Sequence, residues 1–405
     1  MTVATPNAAE PMRPNKAEER RAFGVASGAH VLHDGYTDLI YVMLPIWQAE
    51  FGLGYAALGL LRTAYVGTMA ALQIPAGMLA ERFGPALVLS LGTAMAGAGL
   101  CLAGASAGFV GLVIALLIAG AGGSVQHPVA SALVARAFSG VRSLKALGTY
   151  NFAGDLGKMT LPAVAAIVLV VMPWQPTLAL FGLLGLVAAV GIFQLTPRLA
   201  VETGLASAAD GAARAAGVAG GPHGFALLLA IGVIDSATRM AFLTFLPFVL
   251  LAKGAALPTV GLALTLVFAG GAAGKLVCAF IGARIGAIRT VYLTESLTAV
   301  GIVAILPLSL EGALLVLPIV GIALNGTSSV LYGSVPELVR PERRARAFGI
   351  FYTGTIGSGA LAPALYGVVG DALGIPATIM VIATICLAAV PLAYALKPSL
   401  AHVRC

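Results

Sequence analysis

The sequence predicts an all-α membrane protein with twelve transmembrane helices arranged as two pseudo-symmetric six-helix bundles. Composition, the spacing of apolar runs and the placement of basic residues each predict it. Of 405 residues, 59% are hydrophobic and 10% charged, and the mean hydropathy is +0.99. A soluble domain carries about 25% charged residues, so most of this chain's surface must face lipid. Glycine, at 51 residues, is abundant, as in membrane helices whose backbones approach closely.

A hydrocarbon core about 30 Å thick needs roughly 20 apolar residues per helix. Residues 1–23 read as a polar cytoplasmic tail carrying Arg13, Lys16, Arg20 and Arg21. It has no apolar leader with a cleavage signal, so the first span is expected to remain uncleaved. Six apolar runs follow near 24–47, 57–80, 85–106, 109–135, 146–172 and 175–197, forming an N-terminal bundle over 24–197. A polar, Ala/Gly-rich cytoplasmic linker occupies 198–223. The C-terminal bundle, 224–396, has runs near 225–251, 258–281, 288–309, 312–336, 346–369 and 374–396, and 397–405 is a second cytoplasmic tail.

The charges orient this array. With the N-terminus inside, 18 of the 23 Lys and Arg residues fall in cytoplasmic segments, Arg82, Arg136, Arg198, Arg214, Arg284, Arg340 and Arg404 among them, and Lys253 alone in an external loop. That asymmetry is the positive-inside pattern. It accounts for the net charge of +7 without a nucleic-acid partner.

The halves repeat. A shift of 202 lays Leu44-Pro45 on Leu246-Pro247, Gly59 on Gly261 and Arg82-Phe83-Gly84 on Arg284-Ile285-Gly286. A shift of 201 lays Gly148 on Gly349 and Pro162 on Pro363. Parallel six-helix repeats joined by a cytoplasmic linker are an arrangement in which a ligand binds between halves near mid-membrane. No GxxxxGK[ST] loop is present, which argues against ATP-driven work. Cys101, Cys278, Cys386 and Cys405 lack metal or redox spacing and read as inert thiols. No nucleophile–base constellation, cofactor motif or metal spacing is seen, so an enzyme is not expected.

Residues 77–84, GMLAERFG, resemble the loop motif of the major facilitator superfamily between its second and third spans, usually G-x-L-a-D-r-x-G-r-[kr]. The resemblance implies a conformational latch at Gly77, Glu81, Arg82 and Gly84, with Arg284 in the second copy. Glu81 stands in place of the usual Asp, and Pro85-Ala86 in place of the basic pair. Residues 31–53, 124–140 and 150–162 further resemble the fosmidomycin-resistance-type exporters of that superfamily, with an Asp after a His in span 1, His-Pro in span 4 and a Gly-rich motif opening span 5. This implies proton-coupled export of small, often anionic or amphiphilic molecules, and favours Asp34 as the proton carrier.

Ionisable groups within the bilayer are costly unless they meet a partner or a cavity, so each is a candidate. His30, His33, Asp34, Thr37, Asp38 and Tyr41 recur at i, i+3, i+4 and form one polar stripe on span 1. A carboxylate shielded from water can load and release a proton. Asp34 and Asp38 are therefore proton-coupling candidates; the alternative is that they fix helix packing. Span 5 carries Asn151, Asp155 and Lys158, and span 7 carries Asp235 and Arg239. Each acid and its neighbouring cation could neutralise one another, or exchange partners between conformations. Arg62 and Lys275 have no acid at helical spacing, so their partners must lie on other helices or on substrate; Arg62 reads equally as a structural gate. Pro128 should kink span 4 and present His127 to substrate or to a polar contact. Asn325, Ser328, Ser329 and Tyr332 form an uncharged polar face on span 10.

The expectation is a proton-coupled secondary transporter. Its proton sites lie among Asp34, Asp38, Asp155 and Asp235. Its substrate site is drawn from His33, Tyr41, Arg62, His127, Asn151, Lys158, Arg239, Lys275, Asn325, Ser329 and Tyr332. Export by exchange with protons is the leading reading, and uptake of an organic anion by proton symport or anion exchange the alternative. A non-transporting receptor on the same scaffold is the remaining class. The expected partners are a small-molecule substrate, protons and the lipid bilayer of a bacterial inner membrane. The chain is expected to act as a monomer with both termini cytoplasmic, without cofactor or metal.

Overall fold

A computed structural model describes residues 15–138, 140–197, 222–340 and 343–401. Residues 1–14 and 402–405 of the tails and nearly all of the linker, with Arg13, Arg198, Arg214 and Arg404, lie outside the described residues. The N-terminal half contains α1 (Lys16–Phe51), α2 (Tyr55–Phe83), α3 (Pro85–Gly104), α4 (Phe109–Gly123), α5 (Ser131–Ala137), α6 (Val141–Val171) and α7 (Trp174–Leu195). The C-terminal half contains α8 (Pro222–Ala252), α9 (Leu257–Ile285), α10 (Ala287–Ala304), α11 (Leu310–Leu338), α12 (Arg344–Leu387) and α13 (Ala389–Ala401).

Local chemistry sets the helix ends. Asn15 caps α1: its side chain accepts from the amides of Ala17 and Glu18, and the Glu18 carboxylate returns to the Asn15 amide. α1 therefore starts in the polar tail, eight residues before the apolar run. Gly84 and Gly286 end α2 and α9 at φ 86° and 87°, a conformation that penalises any side chain. Pro128 has no amide proton to return to the preceding turn, and between α4 and α5 the chain makes a π-helical turn, Gln126–Ala130. The predicted kink is there.

Nine helical runs among the described residues are long and apolar enough to cross a membrane. The last, Arg346–Leu400, spans 55 residues, about 80 Å at the helical rise. It bends at Gly374 (φ 80°) and so holds two crossings. α1 and α2 fall outside the nine, and carry Asp34, Asp38 and Arg62 within otherwise apolar sequence. Both are long, at 36 and 29 residues, and are packed within the bundle. Of the twelve predicted runs, nine apolar helices are thus found among the described residues, the last of them bent into two arms, while α1 and α2 are helical and packed within the bundle but lie outside the nine.

Within the halves α1 packs on α6 and α3 on α7, while α8 packs on α12 and α9 on α11. The halves meet where α2 packs on α12 and α6 on α9. Both seams are built alike. A Cβ on Gly59 would lie 2.2 Å from the Pro363 carbonyl oxygen, and one on Gly261 would lie 2.7 Å from the Ala166 side chain. Thr63 donates to the Ala360 carbonyl at 2.6 Å, and Thr265, 202 residues on, donates to the Met159 carbonyl at 2.7 Å. At the same end the Asp371 carboxylate accepts from the Tyr55 and Ala56 amides at 2.6 and 3.0 Å, capping α2 from the other half. Among the described residues, no hydrogen bond or ion pair joins the halves at the opposite end. The bundle is closed at the end bearing the α1–α2 and α8–α9 loops.

Candidate functional site

The stripe on α1 divides among three neighbours. His33 turns to α3, where its Nε2 lies 2.9 Å from Thr93 Oγ1. Thr93 spends its own proton on the Leu89 carbonyl, so His33 Nε2 is the donor. With 2% exposure, His33 is sealed inside the N-terminal half. Asp38 meets Arg62 of α2 at 3.1 Å. Arg62 also donates to the Tyr41 hydroxyl at 2.9 Å and to the Thr37 carbonyl. Arg62 and Asp38 are 1% and 5% exposed, and Tyr41 passes its hydroxyl proton to Met240 Sδ of α8. This triad is buried and mutually neutralised, and among the described residues Tyr41 joins it to the other half.

Asp34 faces α6 and the π turn. Close approach of α1 and α6 puts it there: a Cβ on Gly157 would lie 2.0 Å from the Val31 carbonyl oxygen. His30 Nε2 and Lys158 Nζ converge on Asp34 Oδ2 at 3.3 and 3.4 Å, and His127 Nε2 lies 4.0 Å from Oδ1. The protonation of His30 follows from its other nitrogen. Nδ1 lies 2.9 Å from the Tyr150 carbonyl, which can only accept, so Nδ1 carries a hydrogen. A neutral ring would then turn its Nε2 lone pair toward a carboxylate oxygen. The contact is attractive only with a proton between them, on either partner. His30 also stacks on the Tyr150 ring, with centroids 4.3 Å apart.

Donor atoms of His30, Asp34 and His127 lie within 4.8 Å of one another, a set that could ligate a divalent cation. The Lys158 ammonium already occupies the same carboxylate oxygen. A proton suits that oxygen better than a second, doubly charged cation does.

The cations of α6 and α9 differ in partner from the sequence expectation. Asp155 does not pair with Lys158 three residues on. It accepts a bifurcated contact from Lys275 of α9, at 2.7 Å to each oxygen, while Lys158 goes to Asp34. The reason is geometric: the α6–α9 seam brings Lys275 opposite Asp155, and α1 brings Asp34 opposite Lys158. Likewise Asp235 makes no ion pair with Arg239 among the described residues, and instead contacts Glu295 of α10. The side chains of His127, Lys158 and Lys275 are 44%, 32% and 44% exposed. Asn151 is exposed as well, and the Lys275–Asp155 contact lies across the α6–α9 seam between the halves.

Of the remaining candidates, Asn325 donates to the Gly321 carbonyl at 3.2 Å and packs against Gly271 of α9. Ser329 is half-buried beside it in sequence. Tyr332 belongs to an aromatic cluster with Phe348, Phe351 and Tyr352. Gly77, Glu81, Arg82, Gly84 and Arg284 sit at the unclosed end, where neither Glu81 nor either Arg forms an ion pair among the described residues. Arg82 and Arg284 lie over Phe83 and Phe280. Sequence reasoning placed His30 on the polar stripe without a role of its own, and assigned none to Tyr150 or Asp371. His30 stood four residues before Asp34, and that spacing could have singled it out.

The profile of the Major Facilitator Superfamily matches residues 27–226 and 227–403, one copy per half. The chain is 26% identical to the fosmidomycin resistance protein of Escherichia coli (strain K12) over 364 residues, 87% of each chain. It is also 26% identical to the probable L-galactonate transporter of the same organism over 148 residues, 36% of this chain and 33% of that one. In fold it is similar to a bacterial homolog of the human lysosomal transporter Spinster, solved in an inward-facing and occupied conformation. The TM-score is 0.78 at 14% identity, covering 95% of this chain and 98% of that one. With matching halves, a helical membrane bundle and a charged seam between the halves, the chain belongs to the major facilitator superfamily, as a multi-pass membrane transporter and not an enzyme.

Proposed function

We propose that the protein carries a small organic anion together with a proton, by rocking its halves around the seam between α1, α6, α8 and α9. One observation carries the reading: His30 and Lys158 meet the same oxygen of Asp34. While Asp34 is charged it holds Lys158. Once the His30–Asp34 pair takes up a further proton, the Lys158 ammonium is free for an anion, with Lys275, Arg239 and His127 close by. A proton therefore raises affinity for the anion, and by reciprocity the anion raises affinity for the proton. Ligands that help each other bind travel together. The partial similarity to a probable L-galactonate transporter supports an anionic substrate.

Export in exchange for protons is the second reading, favoured by similarity to the fosmidomycin resistance protein across 87% of both chains. It requires substrate and proton to compete. The two readings predict opposite signs in one experiment. In proteoliposomes with an internal pH dye, external L-galactonate or fosmidomycin should acidify the lumen under symport and alkalinise it under exchange. Alkalinisation with both compounds would overturn the first reading. In either case the placement of basic residues supports a bacterial inner membrane with both termini cytoplasmic. The end closed by Asp371 is then external. Glu81, Arg82 and Arg284 form their latch when the cytoplasmic end closes, and the rocking unit is the monomer.

A further inference from the structure

The 202-residue repeat lays His33 on Asp235 and Thr93 on Glu295. In the N-terminal half this place holds a neutral pair, the His33 imidazole donating to the Thr93 hydroxyl. In the C-terminal half the same place, between α8 and α10, holds two carboxyl groups. Asp235 is 5% exposed and Glu295 1%, and they are in hydrogen-bonding contact.

The surroundings explain what such a contact requires. From the second arm of α12, Cys386 Sγ donates to Glu295 Oε2 at 3.1 Å. From α11, Thr327 borders Glu295 and passes its own proton to Thr294 at 2.7 Å. Thr238 of α8 borders Cys386. Arg239, one turn along α8, is the cation facing the pair among the described residues, yet it makes no ion pair with Asp235, and its Nε is buried without a partner. Two ionised carboxylates can only accept hydrogen bonds, and in a low-dielectric interior they repel strongly.

We propose that Asp235 and Glu295 form a proton-binding site in the C-terminal half, in which one proton is shared as an O–H···O contact between the two carboxyl groups. Empty, the pair would carry two negative charges. With one proton it carries a single charge, which Arg239 offsets from one turn away. This pair is sealed between helices, with Cys386 and the threonines closing it off. Arg239 is the group placed to replace the proton, by moving onto Asp235. The site stands independently of the transport reading, because holding a proton requires no substrate.

Infrared difference spectroscopy of purified protein in lipid tests it. The wild type should show a protonated-carboxyl C=O band at neutral pH that shifts when glutamate or aspartate carries carbon-13. That band should be lost in Glu295→Gln and in Asp235→Asn, and kept in Asp34→Asn. The isotope arm uses the unaltered chain, so absence of the band there counts against the pair even if a variant fails to fold. Absence of any protonated-carboxyl band that moves with either label would overturn the proposal. Persistence of the band in both folded variants would overturn it too.

Discussion

α1 carries His30, Asp34 and Asp38 where α8, 202 residues on, carries Gly232, Ser236 and Met240. α2 carries Arg62 where α9 carries Leu264. The backbone is shared: Gly84 and Gly286 end their helices at φ 86° and 87°, and Thr63 and Thr265 hydrogen-bond across the two seams alike. The chemistry is not shared. The N-terminal half holds a buried carboxylate, Asp34, that touches the part-exposed side chains of Lys158 and His127 and pairs with His30. The C-terminal half contributes Lys275 and Arg239 to the seam and buries Asp235 and Glu295 away from it. The backbone is near-symmetric, whereas the charges are not: Asp34 with His30, Lys158 and His127 belongs to one half, and Lys275 meets Asp155 from the other.

Transplanting the C-terminal solution into the N-terminal half should have the largest effect. Arg62→Leu leaves Asp38 buried without its partner and should destabilise the fold by about 3–5 kcal/mol. Arg62→Leu with Asp38→Met copies Leu264 and Met240, and should recover most of that loss in thermal or denaturant unfolding. Failure of the double variant to recover would mean that the pair does more than neutralise itself. Asp34→Asn should reduce proton-linked flux in proteoliposomes about a hundredfold, the equivalent of about 3 kcal/mol for stranding Lys158. Unfolding should change far less, because Lys158 can reach the cavity's water. Unchanged flux would place the proton elsewhere.

Smaller effects probe geometry. A Cβ on Gly154 would lie 2.5 Å from His30 Nε2 and 2.6 Å from Asp34 Oδ2. Gly154→Ala should therefore wedge the pair apart, and an overpacking strain of about 1–3 kcal/mol corresponds to roughly tenfold slower flux. Asp371→Ala removes the acid that caps α2 from the opposite half. Removing a helix cap costs about 1 kcal/mol, so thiol labelling of a cysteine placed near Thr63 should rise a few-fold as the closed end loosens. Labelling that does not change would show that Gly59 and Gly261 hold that end without it.

Much of this was legible from residue order. Apolar runs, basic loops and the 202-residue offset marked the helices and their repeat, and the polar spacing on α1 marked the face that matters. Spacing identifies a face but not the neighbour opposite it. Asp155 and Lys158 lie three residues apart and read as partners, yet each finds its counter-charge on another helix. Arg62 read as unpaired because its acid, Asp38, is on α1. Glu295 stood alone on an apolar helix until folding set it against Asp235. Asp371 fell in the gap between two predicted spans, with nothing local to show that it would reach Tyr55 and Ala56 across the halves. These partners are set by tertiary packing.

The central claim, that proton and anion bind together at Asp34, is tested most directly by counting protons on binding. Purified protein in weak buffer with a pH indicator is saturated with the organic anion that most raises its thermal stability. Proton uptake from the medium in the wild type, abolished in Asp34→Asn, is the predicted result. Proton release on binding, or uptake that persists undiminished in Asp34→Asn, would contradict it.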